Sequence, residues 1–302
     1  MSSIPQSIPA SPTTLKRAAG LFSQDSLLRR LISNRSGAVG LVIIVIFVIL
    51  GLLGILRITP YSPAANHPKD RLKPPNATYL LGTDQLGRDE ASRLMEGAAN
   101  SLRVAVLSVA LAGSMGTLLG TVSGYAGGAV DTVIMRVMDV FFALPAILMA
   151  LVIVSVLGAG INTTILAIAI VYTPIFARVA RGPVLSLKEM EYILAARSIG
   201  VRGSGILWRH ILPNTLAPLI VQVSLALSWS ILTEAGLSFL GLGVQPPASS
   251  WGVMLSDSRA LAINAPWLML YPGAAIMLGV LGFNLLGDGL RDILDPRLRG
   301  LR

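Results

Sequence analysis

The 302-residue chain contains no cysteine, so disulfides, thiolate nucleophiles and Cys-ligated metals are excluded. Histidine is nearly as scarce: His67 and His210 are the only two, too few for a His-rich metal or proton-relay site. Charge is sparse as well. Only 13% of the residues are Asp, Glu, Lys or Arg, against roughly 25% in soluble domains. A chain that is 53% hydrophobic cannot cover a water-facing surface, so lipid must be part of its solvent. The lysines are Lys16, Lys69, Lys73 and Lys188, and none follows a glycine. A P-loop needs a Gly-Lys pair so that backbone amides and the lysine hold phosphates, so the chain cannot bind ATP in that way. No H-E-x-x-H run occurs, which removes the zinc-protease pattern. Both histidines fall outside the apolar runs, which removes an intramembrane serine protease. No catalytic residue, cofactor or metal is implied, and the chain reads as a non-enzyme.

What is present is apolar length. A span needs about 20 apolar residues to cross about 30 Å of hydrocarbon. Six runs qualify: 39–56, 104–124, 133–157 with Pro145 inside, 163–179 with Pro174 inside, 216–240 and 267–286. The expected fold is all-α, a polytopic membrane protein of six helices. Residues 1–37 read as a polar cytoplasmic tail, with a short amphipathic helix around Leu21 to Ile32, and residues 38–302 as the membrane domain. The net charge of +9 lacks the aromatic interleaving of a nucleic-acid platform. It fits instead the accumulation of Lys and Arg on the cytoplasmic side. With both termini inside, the cytoplasmic segments hold sixteen basic residues against seven outside, Arg103 lying at a membrane border. Two hydrophilic segments remain, an external loop at 57–101 and a cytoplasmic loop at 180–213.

The cytoplasmic loop carries the clearest pattern. Tyr192-Ile-Leu-Ala-Ala-Arg-Ser-Ile-Gly200 is followed by Trp208-Arg-His-Ile-Leu-Pro-Asn214. Read physically, it is a short helix with small residues at Ala195, Ala196 and Gly200, where another surface can approach the backbone. Gly200 suits a helix end in the left-handed conformation, and Pro213 suits the start of the next helix, where its missing N–H costs nothing. An ordinary connecting helix with a glycine stop would show the same features. The spacing Ala-Ala-x3-Gly with Leu-Pro further on resembles the EAA loop of ABC importer permeases. Leu194 stands in place of the motif's glutamate, and His210 in place of its isoleucine.

The likeness extends along the chain. Gly82-Thr-Asp-Gln-Leu-Gly-Arg-Asp89, Asp139-Val-Phe-Phe-Ala-Leu-Pro145, Leu237 to Pro247, Trp251-Gly-Val-Met-Leu255 and Phe283 to Arg297 are similar to the second permease subunit of dipeptide, oligopeptide, glutathione and nickel importers. That resemblance implies a type I importer fold in the bacterial cytoplasmic membrane. It also implies a second permease, two cytoplasmic ATPases and an external substrate-binding protein. Tyr192, Ala195, Ala196, Arg197, Gly200, Leu212 and Pro213 would then form the coupling segment that docks in an ATPase groove. The rival is a self-contained secondary transporter coupled to an ion gradient. It needs intramembrane carboxylates or broken helices for ion coupling, and Glu234 in the fifth run stands nearly alone.

Glu234 has two readings, a role in translocation or gating, facing a cavity or the partner subunit, and a carboxyl near the external end that is hydrated or paired with a helix-end donor. Arg136 and Asp139, at i and i+3, are expected to pair. Gly116, Gly120 and Gly124 fall on one helix face and permit close helix contact. Asp84, Arg88 and Asp89 read as a turn that caps the second span or meets the binding protein, rather than as a metal site.

Overall fold

A computed structural model describes residues 24–294, which fold into helices with no strand among the described residues. The tail expected over 1–37 lies outside them up to residue 23. Helix α1 (Gln24–Ser33) and helix α2 (Arg35–Ile55) are separated by Asn34. Its side-chain oxygen accepts from the Gly37 N–H at 3.0 Å, satisfying an orphan donor at the start of α2. Helix α3 (Glu90–Ala126) begins well before Val104, so the hydrophilic segment expected over 57–101 is already helical from residue 90. The cause is Asp89, whose carboxylate accepts from the Ser92 N–H at 2.8 Å and the Ser92 hydroxyl at 2.6 Å. That N-cap lets the polar residues Glu90, Ser92 and Arg93 start the helix.

The third expected run is not one straight helix. It divides into α4 (Gly128–Phe142) and α5 (Ala146–Leu157), bent by 89°. Pro145 has no N–H to give and opens α5, so the helical ladder stops before it. At 1.5 Å per residue, neither half spans about 30 Å alone. Helix α6 (Ile161–Leu187) follows, with Pro174 and Pro183 inside it. Then come α7 (Glu191–Ser198), α8 (Gly203–Ile206), a π turn at Leu207–Ile211, α9 (Leu212–Phe239), α10 (Trp251–Ser258) and α11 (Trp267–Leu294). Among the described residues, five helices are long and apolar enough to cross a membrane, or six spans if the bent pair counts as one.

Helix α6 is the centre. Ile165, Ile168, Val171, Tyr172 and Phe176 pack with Val104, Val109 and Ala112 of α3 and Leu219 and Ala226 of α9. A second core gathers Phe47 of α2, Ala98 and Ala105 of α3, Ile231 of α9, Trp251 of α10 and Phe283 of α11. The Trp251 ring lies 5.0 Å from that of Phe47. The outer surfaces of α2, α3 and α11 keep Val42, Ile46, Leu111, Met115 and Leu281 exposed, as a lipid solvent allows.

The α4 arm is held by charge. Arg181 of α6 donates through Nε and Nη2 to both oxygens of Asp131, at 2.6 and 2.5 Å. Arg178 of α6 donates to Asp139 at 2.7 Å and stacks over the Phe142 ring at 3.9 Å. The expected pairing of Arg136 with Asp139 is therefore corrected. Asp139 faces α6, whose guanidinium reaches it across the helix interface.

Candidate functional site: the loop between α6 and α9

The loop is built on an apolar anchor. Ile193 of α7, Ile206 of α8, Ile211 of the π turn and Val184 of α6 are buried together, with Tyr125 and Leu187 against them. Lys188 donates to the Gly124 carbonyl at 3.1 Å, tying the loop to the end of α3. Chain reversal after α7 depends on Gly200, at φ 82°. The Val201 N–H donates to the Ala196 carbonyl at 3.1 Å, and the Gly200 N–H to the Arg197 carbonyl at 3.0 Å. That pair of bonds is a Schellman C-cap, as the glycine stop predicts.

The anchored core presents an apolar exterior. Tyr192, Leu194, Ala195 and Gly200 are exposed, and Ile199 is 82% and Trp208 63% accessible. A Cβ on Gly200 would meet nothing within 4 Å, so the surface there is open. Ala196 is half-buried and packs on the loop's own cluster. Arg197 is exposed, its guanidinium 5.8 Å from the Tyr125 ring centre, and Tyr192 meets the His210 ring edge-on at 6.3 Å.

Pro213 sits in the first turn of α9, where its missing N–H costs nothing, although the chain runs helically without a break from Gly203 to Phe239. The Leu212 N–H reaches back five residues to the Leu207 carbonyl, and this widened turn takes up the disruption that a proline brings to the α ladder. Leu212 lines a separate open groove of about 620 Å³ between α3 and α9, walled by Val109, Gly113, Leu118, Phe176, Leu216 and Leu219. The local sequence contains no signal for that groove, since its walls come from distant segments.

At the opposite end lies a second polar constellation. Glu234 is fully buried. It accepts from the Ser101 hydroxyl of α3 at 2.9 Å and the Ser238 hydroxyl at 2.7 Å. Ser101 in turn accepts from the Trp251 N–H at 3.4 Å. The carboxyl thus joins α3, α9 and α10. Removing it strands two buried hydroxyls, each an unmet group worth about 1–3 kcal/mol. Glu234→Ala is expected to lower the melting temperature of the purified protein clearly, and Glu234→Gln much less, because the amide oxygen still accepts. Equal melting temperatures for both variants and the native chain would remove the staple.

Outward of this staple, Arg93 donates to Asp257 at 3.1 Å and Arg88 to Asp84 at 2.5 Å, all of them buried or half-buried. The 57–89 segment is folded onto the body in this way. Within it the Lys73 ammonium holds the Asp70 carboxyl below its usual range. The hydrogen bond to Asp70 pushes the Tyr79 hydroxyl up to about 12. Asp84 and Asp89 fold the turn that caps α3, as expected.

Comparison with known proteins agrees with this architecture. Residues 116–300 match the family described as binding-protein-dependent transport system inner membrane component. Residues 22–75 match the N-terminal TM domain of oligopeptide transport permease C. The dipeptide transport system permease protein DppC of Alkalihalophilus pseudofirmus is 48% identical over 241 residues, covering 80% of this chain and 79% of that one. The glutathione transport system permease protein GsiD of Pectobacterium atrosepticum is 46% identical over 241 residues, 80% of each chain. A probable D,D-dipeptide transport system permease protein, DdpC of Escherichia coli, is 43% identical, covering 76% of this chain and 77% of that one. A chain of the inward-facing MetNI methionine ABC transporter superposes with a TM-score of 0.54 at 17% identity, covering 66% of this chain and 94% of that one. It shares the fold. The relatives are binding-protein-dependent and ABC permeases, so the comparisons do not support the rival of an ion-coupled secondary transporter. The chain belongs to the family of binding-protein-dependent transport system inner membrane components and is a multi-pass ABC importer permease subunit rather than an enzyme.

Proposed function

We propose that this chain forms half of the pathway of a peptide-type importer, with dipeptides or a related small peptide as cargo. The relatives' names, dipeptide and glutathione permeases, support the cargo class. The observation that carries the coupling reading is the loop. An apolar anchor holds Tyr192, Leu194, Ala195 and Ile199 outward with none of the described residues over them. Exposed large apolar residues on a fixed scaffold mark a protein contact. The contact is an ATPase subunit, with Ala195 and Gly200 nearest its groove and Arg197 at the rim.

The groove between α3 and α9, apolar along its length, seats the second permease subunit, and the pathway forms between the two chains. The folded 57–89 segment and the Glu234 staple lie on the side that meets the binding protein. Closure of the ATPase pair on ATP then moves the coupling segment. Because α8, the π turn and α9 run on as one helix, the displacement is carried into the membrane along α9.

Orientation places this loop and both termini in the cytoplasm, following the Lys and Arg distribution. The absence of native cysteine makes the test clean. Gln245 and Ser204 are both exposed. In intact cells, Gln245→Cys is expected to react with an impermeant thiol reagent and Ser204→Cys only after permeabilisation. Added ATPase subunits should then protect Ser204→Cys. Labelling of Ser204→Cys from outside would reverse the orientation and remove the ATPase from this loop.

A further inference from the structure

We propose that α1 lies flat in the membrane surface next to the first span and holds anionic phospholipid headgroups through Arg29 and Arg30. At 100° per residue, Leu28, Leu31 and Ile32 share one side of α1, with Arg29 and Arg30 on the other. The described residues cover the apolar side only in part. Leu31 is buried, its Cδ1 lying where a Cβ on Gly37 or Gly289 would be, at 2.6 and 3.3 Å from those positions. Leu28 and Ile32, one turn apart on the same side, remain 52% and 57% exposed.

Two observations select lipid as the cover. The first is continuity. Only Asn34 separates α1 from the span α2, and α2 exposes Val39, Val42 and Ile46 from its first turns onward. Helix α1 therefore starts at the depth where the span leaves the hydrocarbon, and its uncovered leucine and isoleucine adjoin a surface that already faces acyl chains. The second is charge. Exposed Arg29 and Arg30 are followed by exposed Arg35 at the start of α2, so three arginines fall within five residues of Asn34. An amphipathic helix with basic residues on its polar face binds the interface through buried apolar area and attraction to anionic lipid.

The anchor has a mechanical consequence. Asn34 donates to Asp292 of α11 at 3.1 Å, and Leu31 packs over Gly289 of α11. A lipid-bound α1 thus fixes the loop-side end of α11 as well as that of α2. This inference needs only a membrane-spanning chain, so it stands or falls separately from the ATPase contact.

The test uses the full-length chain with its co-purified subunits in nanodiscs of phosphatidylcholine, with or without about one third phosphatidylglycerol. A bimane label is placed at Ile32→Cys or Ser33→Cys, both exposed positions. Nitroxide carried on the lipid chain is expected to quench the Ile32 label severalfold more than the Ser33 label. Phosphatidylglycerol should increase that quenching, and R29Q/R30Q should abolish the increase while leaving assembly by size exclusion unchanged. Quenching of the Ile32 label by aqueous iodide would overturn the proposal. Protection from both lipid and aqueous quenchers would mean that a protein covers α1, and would overturn it too. Lipid quenching with no response to phosphatidylglycerol would overturn the anionic headgroup site.

Discussion

Gly120→Val is expected to stop the chain from accumulating in the membrane as a folded, purifiable protein. A Cβ at Gly120 would stand 2.0 Å from the Ala177 carbonyl oxygen and 2.8 Å from its carbon. Both obstacles are backbone of the central helix α6, which cannot rotate away as a side chain can. Gly116 faces the Thr173 carbonyl and the Phe176 Cβ, each 2.5 Å from its added Cβ, and Gly124 faces Val184 at 3.0 Å. The three glycines therefore line a close seam of α3 against α6. Overpacking a protein interior typically costs about 1–3 kcal/mol. The cost here should exceed that range, because relief requires the helices to separate. Gly113 on the same helix supplies the control. Its added Cβ would lie 3.6 Å from the Phe176 ring, ordinary contact, so Gly113→Ala should leave the melting temperature nearly unchanged. Wild-type yield and melting temperature for Gly120→Val would show that the seam opens without penalty.

That seam was legible from a four-residue repeat of glycine, because helical periodicity alone puts such residues on one face. The apolar runs were equally legible, since membrane-spanning length is a local property. The start of α3 was not. Glu90, Ser92 and Arg93 look like loop residues until Asp89 caps them and Asp257, more than 160 residues on, receives the Arg93 guanidinium. The partner of Asp139 was missed for the same reason. Arg136 is near in sequence, but Arg178 is near in space. Pro145 signalled a bend and not its size, because the 89° depends on what α5 packs against. In the loop, Gly200 disclosed its own backbone conformation. The half-buried state of Ala196 depends on Val184 and Ile206, which lie outside the motif. Glu234 was visible as an anomaly, and Ser101 as its partner was not, since 133 residues separate them.

Ala195→Glu is expected to uncouple ATP hydrolysis from uptake while leaving the permease folded. Ala195 is exposed and touches none of the buried cluster, so the new carboxylate harms nothing in the isolated chain. Pressed into an ATPase groove, it would be a buried charge without a partner, a defect that costs about 3–5 kcal/mol when an ion pair is broken in this way. At roughly 1.4 kcal/mol per tenfold in an equilibrium constant, co-purification of the ATPase should fall by more than a hundredfold. Ala196 is the poorer test site, because its methyl packs on the loop's own core and a glutamate there would disturb both. Gly200 separates two effects. At φ 82° a valine is strained whatever lies opposite, whereas asparagine tolerates the left-handed region. Gly200→Asn therefore keeps the Schellman cap and adds bulk on the open side. If the ATPase approaches there, Gly200→Asn uncouples as Gly200→Val does. If only the backbone matters, Gly200→Asn behaves as wild type. Lys188 cannot serve as a neutral control, since it holds the Gly124 carbonyl, but exposed Glu189→Gln can. The measurements are ATPase co-purification, ATP hydrolysis stimulated by loaded binding protein, and uptake into vesicles. Full assembly and full uptake by Ala195→Glu and Gly200→Asn would reduce the loop to a connector and move the ATPase contact elsewhere on the chain.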